Sequence, residues 1–425
     1  MCRVRMTVAR VALGLGMVFL AMTALPGTAA TAQDALVPDR RHDQFPSEPL
    51  YLVLPLPYSI PGIGSGIAVA LYEANYLFYH RAYALAITGD AEGAIFGMEQ
   101  AAVVPRHLLL DVYTEQISKS QVRRYQFRGM NTQKNDYNLV DAQYEFNSVR
   151  VTATFWDRRV EFYAESGQDE PRVERIRDHT GAVISTFAHP LRFYESYTAA
   201  NFLFDLTDDY VDPRRGARLV SQYTDHPRTD STRPEGYVVT TRVNGYFPIG
   251  RLSTIAVTAF QSDAYVTKQG LTDLNALNQQ DSQNCQAGNT TCLAGQQALV
   301  NNDLAANLHG TSQSLGGQNY LRGYPGDRFQ GAHTLYYAAE FRINLTDEFT
   351  PFNYFFFKGV RTAIQLAPFY EAGSVSETSG SLGHYWRTDA GVGFRFVTAS
   401  GALYRVDVAQ GDEGTATTII FSYPW

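Results

Sequence analysis

The chain has 425 residues, of which 45% are hydrophobic and 13% aromatic, and its formal net charge at pH 7 is -7. This acidic balance provides no basic surface, so nucleic acid is not an expected partner. After residue 25 the sequence contains no run of about 18 apolar residues, which excludes helical membrane spans, while the abundance of Tyr and Phe is typical of a β-rich chain.

The first 32 residues are organised as a secretory signal peptide. Three arginines precede an apolar run over residues 11–25, and the small-residue site Ala30-Thr31-Ala32 follows. This order predicts export and cleavage before Gln33. A membrane anchor is the weaker alternative because the apolar run is shorter than the roughly 18 to 20 residues that a span requires.

Residues 33–62 contain six prolines and offer little length for a domain. Proline removes a backbone donor from a β-ladder, so we expect an irregular periplasmic lead-in, or alternatively a plug. The predicted units are the signal peptide (1–32), the Pro-rich lead-in (33–62) and a β-domain (63–425).

Strand-like segments follow throughout the β-domain. The expected ranges are 63–74, 81–88, 93–103, 108–118, 138–147, 149–164, 183–193, 197–206, 217–223, 237–247 and 252–266, followed by five C-terminal strands. Sixteen strands would need about 23 residues each, which fits a tilted strand of roughly 9 to 11 residues with its connections. Fourteen strands is the alternative count.

Two groups of residues in the connections suggest metal sites at first sight. Asp205, Asp208, Asp209 and Asp212 precede a proline, but their spacing is not that of a calcium loop, so turn capping is favoured. In an oxidising compartment Cys285 and Cys292 predict a disulfide on a long polar loop; two free thiols is the weaker interpretation. No metal is expected at either place.

The cleanest alternation occurs in the five C-terminal strands. From residue 335 to residue 345 the odd positions are apolar, and the even positions include Glu340 and Arg342. The polar faces of the following strands carry Phe369, Glu371, Arg395, Arg405 and Asp407. The chain ends on an aromatic strand signal formed by Phe421, Tyr423 and Trp425.

Alternation of this kind fits a soluble β-sandwich or a membrane-spanning barrel. Three features favour the barrel: short turns alternate with long polar loops, aromatics gather at strand ends such as 354–357, and closure removes exposed sheet edges. We therefore predict an all-β, transmembrane, antiparallel β-barrel of sixteen strands. Arg395, Arg405 and Asp407 would line its lumen as a structural charge ladder, with ion selectivity as the alternative role.

Residues 316–329 form the most unusual loop of the sequence. They contain four glycines, one proline and two arginines. Gly and Pro restrict where a loop can turn, so a fixed conformation is expected. Arg322 can make five directional donor contacts. A solvated loop arginine is the plain alternative.

The motif Leu321-Arg322-Gly323-Tyr324 resembles the arginine-glycine-aromatic motif in the sixth extracellular loop of the BamA/TamA superfamily of outer-membrane barrels, the bacterial surface-antigen family. Three further stretches resemble family motifs in the same order: 205–216 a periplasmic turn between strands eight and nine, 369–373 an aromatic-x-acid-x-glycine strand, and 391–395 the segment after it. The resemblance is strong over residues 197–425 and weak before them.

This resemblance implies that the loop folds into the barrel lumen as a latch. Arg322 would pair there with acids on adjacent strands and pack against an aromatic ring. Glu340, Phe369 and Glu371 lie on the polar faces by strand parity and are the expected partners. The family often has aspartate where this chain has Glu371, so the contact must differ by one methylene.

The resemblance also implies a role in insertion or translocation of proteins or lipids at the bacterial outer membrane, through the junction of the first and last strands. Residues 33–62 are too few for a POTRA domain, so a short, POTRA-less member is expected. The chain lacks the Gly-x-Ser-x-Gly, His-Glu-x-x-His and phosphate-loop motifs, so neither an enzyme nor a cofactor is expected. Expected partners are outer-membrane lipids and lipopolysaccharide, with client proteins or lipids and further copies of the chain as candidates. A passive porin-like channel or structural barrel is the alternative function.

Overall fold

The computed structural model describes residues 44–45, 49–75, 80–250, 252–280, 290–346, 352–354, 357–360, 362–398, 401, 403–421 and 423–425. The predicted signal peptide, its cleavage point and Cys285 lie outside these residues. Within the described part of the chain, no helix is long and apolar enough to cross a membrane.

The described residues form twenty strands and two helices. The first ten strands are β1 (Leu50–Ile60), β2 (Gly64–Ala74), β3 (Arg81–Gly89), β4 (Glu92–Val104), β5 (Leu108–Tyr125), β6 (Tyr137–Phe155), β7 (Val160–Asp169), β8 (Arg172–Arg177), β9 (Val183–Arg192) and β10 (Glu195–Asp205). The others are β11 (Gly216–His226), β12 (Glu235–Ile249), β13 (Ser253–Lys268), β14 (His333–Asn344), β15 (Phe352–Tyr354), β16 (Phe357–Val360), β17 (Thr362–Ser376), β18 (Arg387–Thr398), β19 (Leu403–Gly411) and β20 (Gly414–Ile420). The helices, α1 (Leu274–Gln280) and α2 (Thr290–His309), lie between β13 and β14.

Sixteen of these strands close into one antiparallel ring. Neighbours in sequence pair from β1 to β7 and from β10 to β14, β7 pairs with β10, β14 pairs with β17, and β20 returns to β1. The hairpins β8–β9 and β15–β16 stand outside the ring. The predicted sixteen-strand, all-β barrel is confirmed.

Side chains alternate across the barrel wall because successive residues of a strand point to opposite faces. On β14, Tyr337 and Phe341 are exposed on the outer face, whereas Tyr336, Glu340 and Arg342 are buried on the inner face. The main cluster of buried apolar side chains combines wall residues with residues of the β13–β14 connection. The interior is therefore polar at the wall and filled in part by this connection.

The boundaries predicted for the N-terminal half were partly wrong. Residues 149–164, expected to be one strand, are the end of β6 and the start of β7. In the turn between them Trp156, Asp157 and Arg158 have φ values of 50°, 50° and 66°. This turn contains neither Gly nor Pro, so the sequence carries no turn signal there. Residues 183–193, expected in the ring, form β9 in the hairpin outside it.

The barrel starts earlier than predicted, because residues 50–60 of the expected lead-in form β1. Pro55 and Pro57 argued against a strand. However, β1 pairs with β2 over its whole length and, among the described residues, with β20 at Ser59 and Ile419 alone. A strand with one nearly free edge tolerates residues that lack a backbone N–H.

The C-terminal aromatic signal also lies differently from the prediction. β20 ends at Ile420, and Phe421 points outward with 41% of its surface exposed. Tyr423 and Trp425, expected on a continued strand, instead turn inward, where their rings lie 4.7 and 5.3 Å from the guanidinium carbon of Arg342. Beyond Ile420 the sparse pairing with β1 offers little backbone bonding, so these cation–π contacts direct the chain end instead.

The two rims of the barrel differ. The long-loop rim carries the connections after β1, β3, β5, β7, β11, β13, β17 and β19, and the short-turn rim carries the remaining connections together with the start of β1 and the end of β20. The β13–β14 connection is the sixth on the long-loop rim. Its helix α2 docks on β5, where the guanidinium of Arg124 donates to Asp303 at 3.0 and 3.1 Å.

Candidate functional site

The loop of residues 316–329, called here the Arg322 loop, has a closed backbone conformation. Leu315 and Phe329 exchange two backbone hydrogen bonds of 2.9 Å at its base. Gly316 and Gly317, with φ values of 108° and 96°, donate their N–H groups to Tyr320 O and Tyr324 O. Such φ values favour glycine. The loop presents a buried motif, because Leu321, Arg322 and Tyr324 are fully inaccessible to solvent.

Three carboxylates converge on the Arg322 guanidinium. Nε donates to Glu371 Oε1 at 2.7 Å, Nη1 to Asp407 Oδ2 at 2.7 Å and Nη2 to Glu340 Oε1 at 3.0 Å. The backbone N–H of Arg322 also donates to Glu371 Oε2 at 2.6 Å. The guanidinium carbon lies 3.5 Å from the centroid of the Phe369 ring. The structure thus brings the predicted residues Glu340, Phe369 and Glu371 together around Arg322.

Strand register explains this convergence. Glu340 on β14 is directly opposite Phe369 on β17, and Glu371 follows on the same face. Two glycines of β18 provide the room: a Cβ atom on Gly391 would lie 2.4 Å from Phe369 Cζ, and one on Gly393 would lie 2.2 Å from Asp407 Oδ1. The Gly-x-Gly stretch therefore lets the ring and the carboxylate reach across β18 towards Arg322.

Gly323 and Tyr324 fix the other end of the motif. The N–H of Gly323 donates to Asp389 Oδ2 at 2.7 Å, and Tyr324 Oη donates to Thr388 O at 3.1 Å. A Cβ atom on Gly323 would lie 2.7 Å from Asp389 Cβ and from Gly411 N. Glycine is therefore required between the arginine and the tyrosine.

The three predicted lumen charges belong to the same cluster. Arg395 donates to Glu340, and Arg405 donates to Asp407 Oδ2 at 2.8 Å and to the carbonyl of Gln318 in the Arg322 loop. Asp407, expected as a separate lumen charge, contacts Arg322 directly.

Sequence reasoning missed Asp407, Asp389 and Arg342 as members of the Arg322 cluster. Arg342 Nε donates to Glu340 Oε2 at 3.0 Å. Parity placed Arg342 and Asp407 on polar faces. It carried no information on which strands come next to each other inside the ring.

The interior opposite this cluster contains a cavity of about 320 Å³. Its lining includes Arg150, Arg158, Glu161, Tyr163 and Arg242. Arg242 Nη2 donates to the hydroxyl of Tyr320 at 2.5 Å, which connects the cavity to the Arg322 loop. The cavity is polar, as expected for a barrel lumen.

The aspartate-rich turn at 206–215 lies between the eighth and ninth ring strands, on the short-turn rim. Asp208 Oδ1 accepts from the N–H groups of Arg214 and Arg215, and Asp209 Oδ1 accepts from Val211, so the predicted turn capping is confirmed. Burial raises the pKa of the Tyr210 hydroxyl to about 12, so it stays protonated and donates to Glu161.

Cys292 is disulfide-bonded, while Cys285 lies outside the described residues. In the part of the chain that the structure describes, no group of three or more His, Cys, Asp or Glu side chains could hold a metal ion.

No protein-family model and no curated protein matches the sequence. Among solved structures, the chain is similar to BamA from Haemophilus ducreyi lacking POTRA domains 1–3, with 11% identity, a TM-score of 0.43, and coverage of 89% of this chain and 74% of that chain. It is also similar to CdiB from Escherichia coli, with 10% identity, a TM-score of 0.49, and coverage of 90% and 68%. Identities this low transfer no residue roles.

Proposed function

We propose that the protein is an outer-membrane barrel of the BamA/TamA superfamily, in which the Arg322 loop is a lumen latch, and that it aids insertion or translocation of proteins or lipids at the outer membrane. The observation that carries the proposal is the enclosure of Arg322 by three carboxylates and a ring from three strands of one closed barrel. The proposal includes no catalytic step and no cofactor.

The outer surface supports a membrane location. Large apolar side chains are exposed around the wall, including Leu71, Phe96, Val151, Phe162, Tyr223, Phe341, Tyr370 and Phe394. A belt of this size is unfavourable in water but is solvated by lipid chains. Outer-membrane lipids and lipopolysaccharide are therefore the proposed neighbours of the barrel.

The latch would hold the wall in one arrangement. Arg322 joins β14, β17 and β19 through charged side chains that are removed from water. Breaking a buried ion pair on one side leaves an uncompensated charge, so the loop cannot leave without a large energetic cost. This cost opposes rearrangement of the strands that precede the junction of β20 and β1.

The junction of β1 and β20 supports the proposed activity. Among the described residues one pair, Ser59 with Ile419, joins their backbones, whereas all 11 residues of β1 pair with β2. Two side-chain bonds supplement it: Ser59 Oγ donates to Thr417 O and Tyr404 Oη donates to Pro57 O, each at 2.9 Å. With so few hydrogen bonds to break, this junction is the proposed site of lateral opening.

A disulfide lock tests this function. Ser59→Cys combined with Ile419→Cys would join the two strands, and Ala70→Cys with Leu85→Cys would join β2 and β3, which are already fully paired. We expect the first lock to abolish insertion of a small outer-membrane barrel protein into proteoliposomes. Reductant should restore it, and the second lock should have no effect.

Wild-type protein with reductant controls for loss of the native disulfide at Cys292. Full activity of the oxidised Ser59–Ile419 lock would contradict opening at this junction.

The polar cavity of about 320 Å³ favours a second candidate, a passive porin-like channel. Conductance in planar bilayers separates the two functions. A large and steady wild-type pore with the Arg322 loop intact would support the channel, whereas a mostly closed wild type supports the latch.

A further inference from the structure

A pair of like charges faces itself within the inner wall. Arg395 on β18 and Arg405 on β19 are directly opposite in register, and both are fully inaccessible to solvent. Like charges directly opposite on neighbouring strands are destabilising. Because neither guanidinium reaches water, solvent does not screen this repulsion.

The surrounding acids do not balance the arginines. Among the described residues of the cluster, the guanidiniums of Arg322, Arg342, Arg395 and Arg405 meet three carboxylates, those of Glu340, Glu371 and Asp407. Glu340 is shared by three arginines and Asp407 by two. The nearby Asp212 carboxylate accepts from Gln365 and Tyr423, and Asp389 accepts from the N–H of Gly323. The cluster therefore has an excess of one positive charge.

The unused donors belong to these two arginines. Nε and Nη1 of Arg395 and Nε of Arg405 are enclosed and meet no acceptor among the described residues. Buried N–H groups without an acceptor cost free energy, more so on a charged group. Two opposed cations with free donors and one surplus charge fit a small monovalent anion.

We propose that Arg395 and Arg405 bind a halide-sized anion, with chloride as the physiological ligand, on the inner wall beneath the Arg322 loop. The anion cancels the repulsion between the two strands and accepts the free N–H groups. Since Arg405 also donates to the carbonyl of Gln318, the bound anion stabilises the loop as well as the wall. This site is independent of the transport role proposed above.

Thermal unfolding of the purified full chain in detergent tests the site. Chloride is raised from about 1 mM to about 100 mM against gluconate at constant ionic strength, so that general screening does not change. We expect the midpoint temperature to rise by several degrees with a saturable dependence on chloride. Bromide should reproduce the shift, and phosphate at the same ionic strength should not. A flat response to chloride would overturn the proposal, and a stronger response to phosphate would replace the halide with an oxyanion.

Two variants separate this site from other arginines. Arg405→Gln removes one of the opposed cations and should abolish the chloride dependence. Arg218→Gln removes a rim arginine that bonds Asp205 through Nε and Nη2, at 3.0 and 2.7 Å, and should keep it. If Arg405→Gln retains the wild-type chloride response, the proposal is wrong.

Crystals of the wild type soaked in bromide give a readout that does not depend on the variants folding. An anomalous peak within contact distance of the Arg395 and Arg405 guanidiniums is expected. Bromide peaks at other positions alone would contradict the site.

Discussion

Arg322 stacks on Phe369 with the guanidinium carbon 3.5 Å above the ring centroid, and the ring in turn fits against Gly391, where a side chain would collide with it. A loop residue, a wall residue and a glycine on the next strand thus form one packed unit. The position of the loop depends on the shape of the wall as much as on its charges.

Replacement of Arg322 should destabilise the barrel strongly. Arg322→Met leaves three buried carboxylates without their shared cation, and we expect a loss of about 3 to 5 kcal/mol in the free energy of unfolding. Urea titration in detergent micelles measures it. Arg124→Met, which removes an exposed pair with Asp303, should cost under about 1 kcal/mol and is the control. Equal effects of the two variants would show that Arg322 is not held as described.

The ring beneath Arg322 should matter separately from the charges. Phe369→Leu keeps an apolar side chain but removes the cation–π contact, which contributes about 2 kcal/mol when desolvated. The same urea titration should show a loss of this size. Tyr370→Leu changes the neighbouring, outward-facing aromatic and should have little effect. A neutral Phe369→Leu would mean that the carboxylates alone position Arg322.

The glycine of β18 that faces Asp407 should not tolerate a methyl group. In Gly393→Ala the new Cβ atom would lie 2.2 Å from Asp407 Oδ1 and would push this carboxylate away from Arg322. We expect a lower midpoint temperature on heat-modifiability gels. Gly380→Ala, whose Cβ atom would meet no atom within 4 Å, is the matched control. A wild-type midpoint for Gly393→Ala would contradict the packing at this position.

Release of the Arg322 loop should open the lumen. Arg322→Ala removes the contacts to three strands, so we expect a higher single-channel conductance in planar bilayers than the wild type shows. Arg218→Ala, on the short-turn rim, leaves the loop contacts in place and should keep the wild-type conductance. Unchanged conductance in Arg322→Ala would show that the loop does not limit the pore.

The all-β fold, the strand number and the inward face of Glu340, Phe369 and Glu371 could be predicted from the sequence. Period-two alternation decides which side of a strand is polar, and a strand number follows from length. Both signals are local, which is why they were readable without a structure.

Tertiary structure alone decided which inward residues meet. Asp407 lies 85 residues from Arg322, and the two come together only because β19 is registered against β18, where Gly393 leaves room for the carboxylate. Register is set by ring closure and not by local pattern. For the same reason β1, with its two prolines, and the inward turn of Tyr423 were not predicted. Their conformations depend on how little backbone bonding the junction of first and last strands provides, which is a property of the closed barrel and not of either segment.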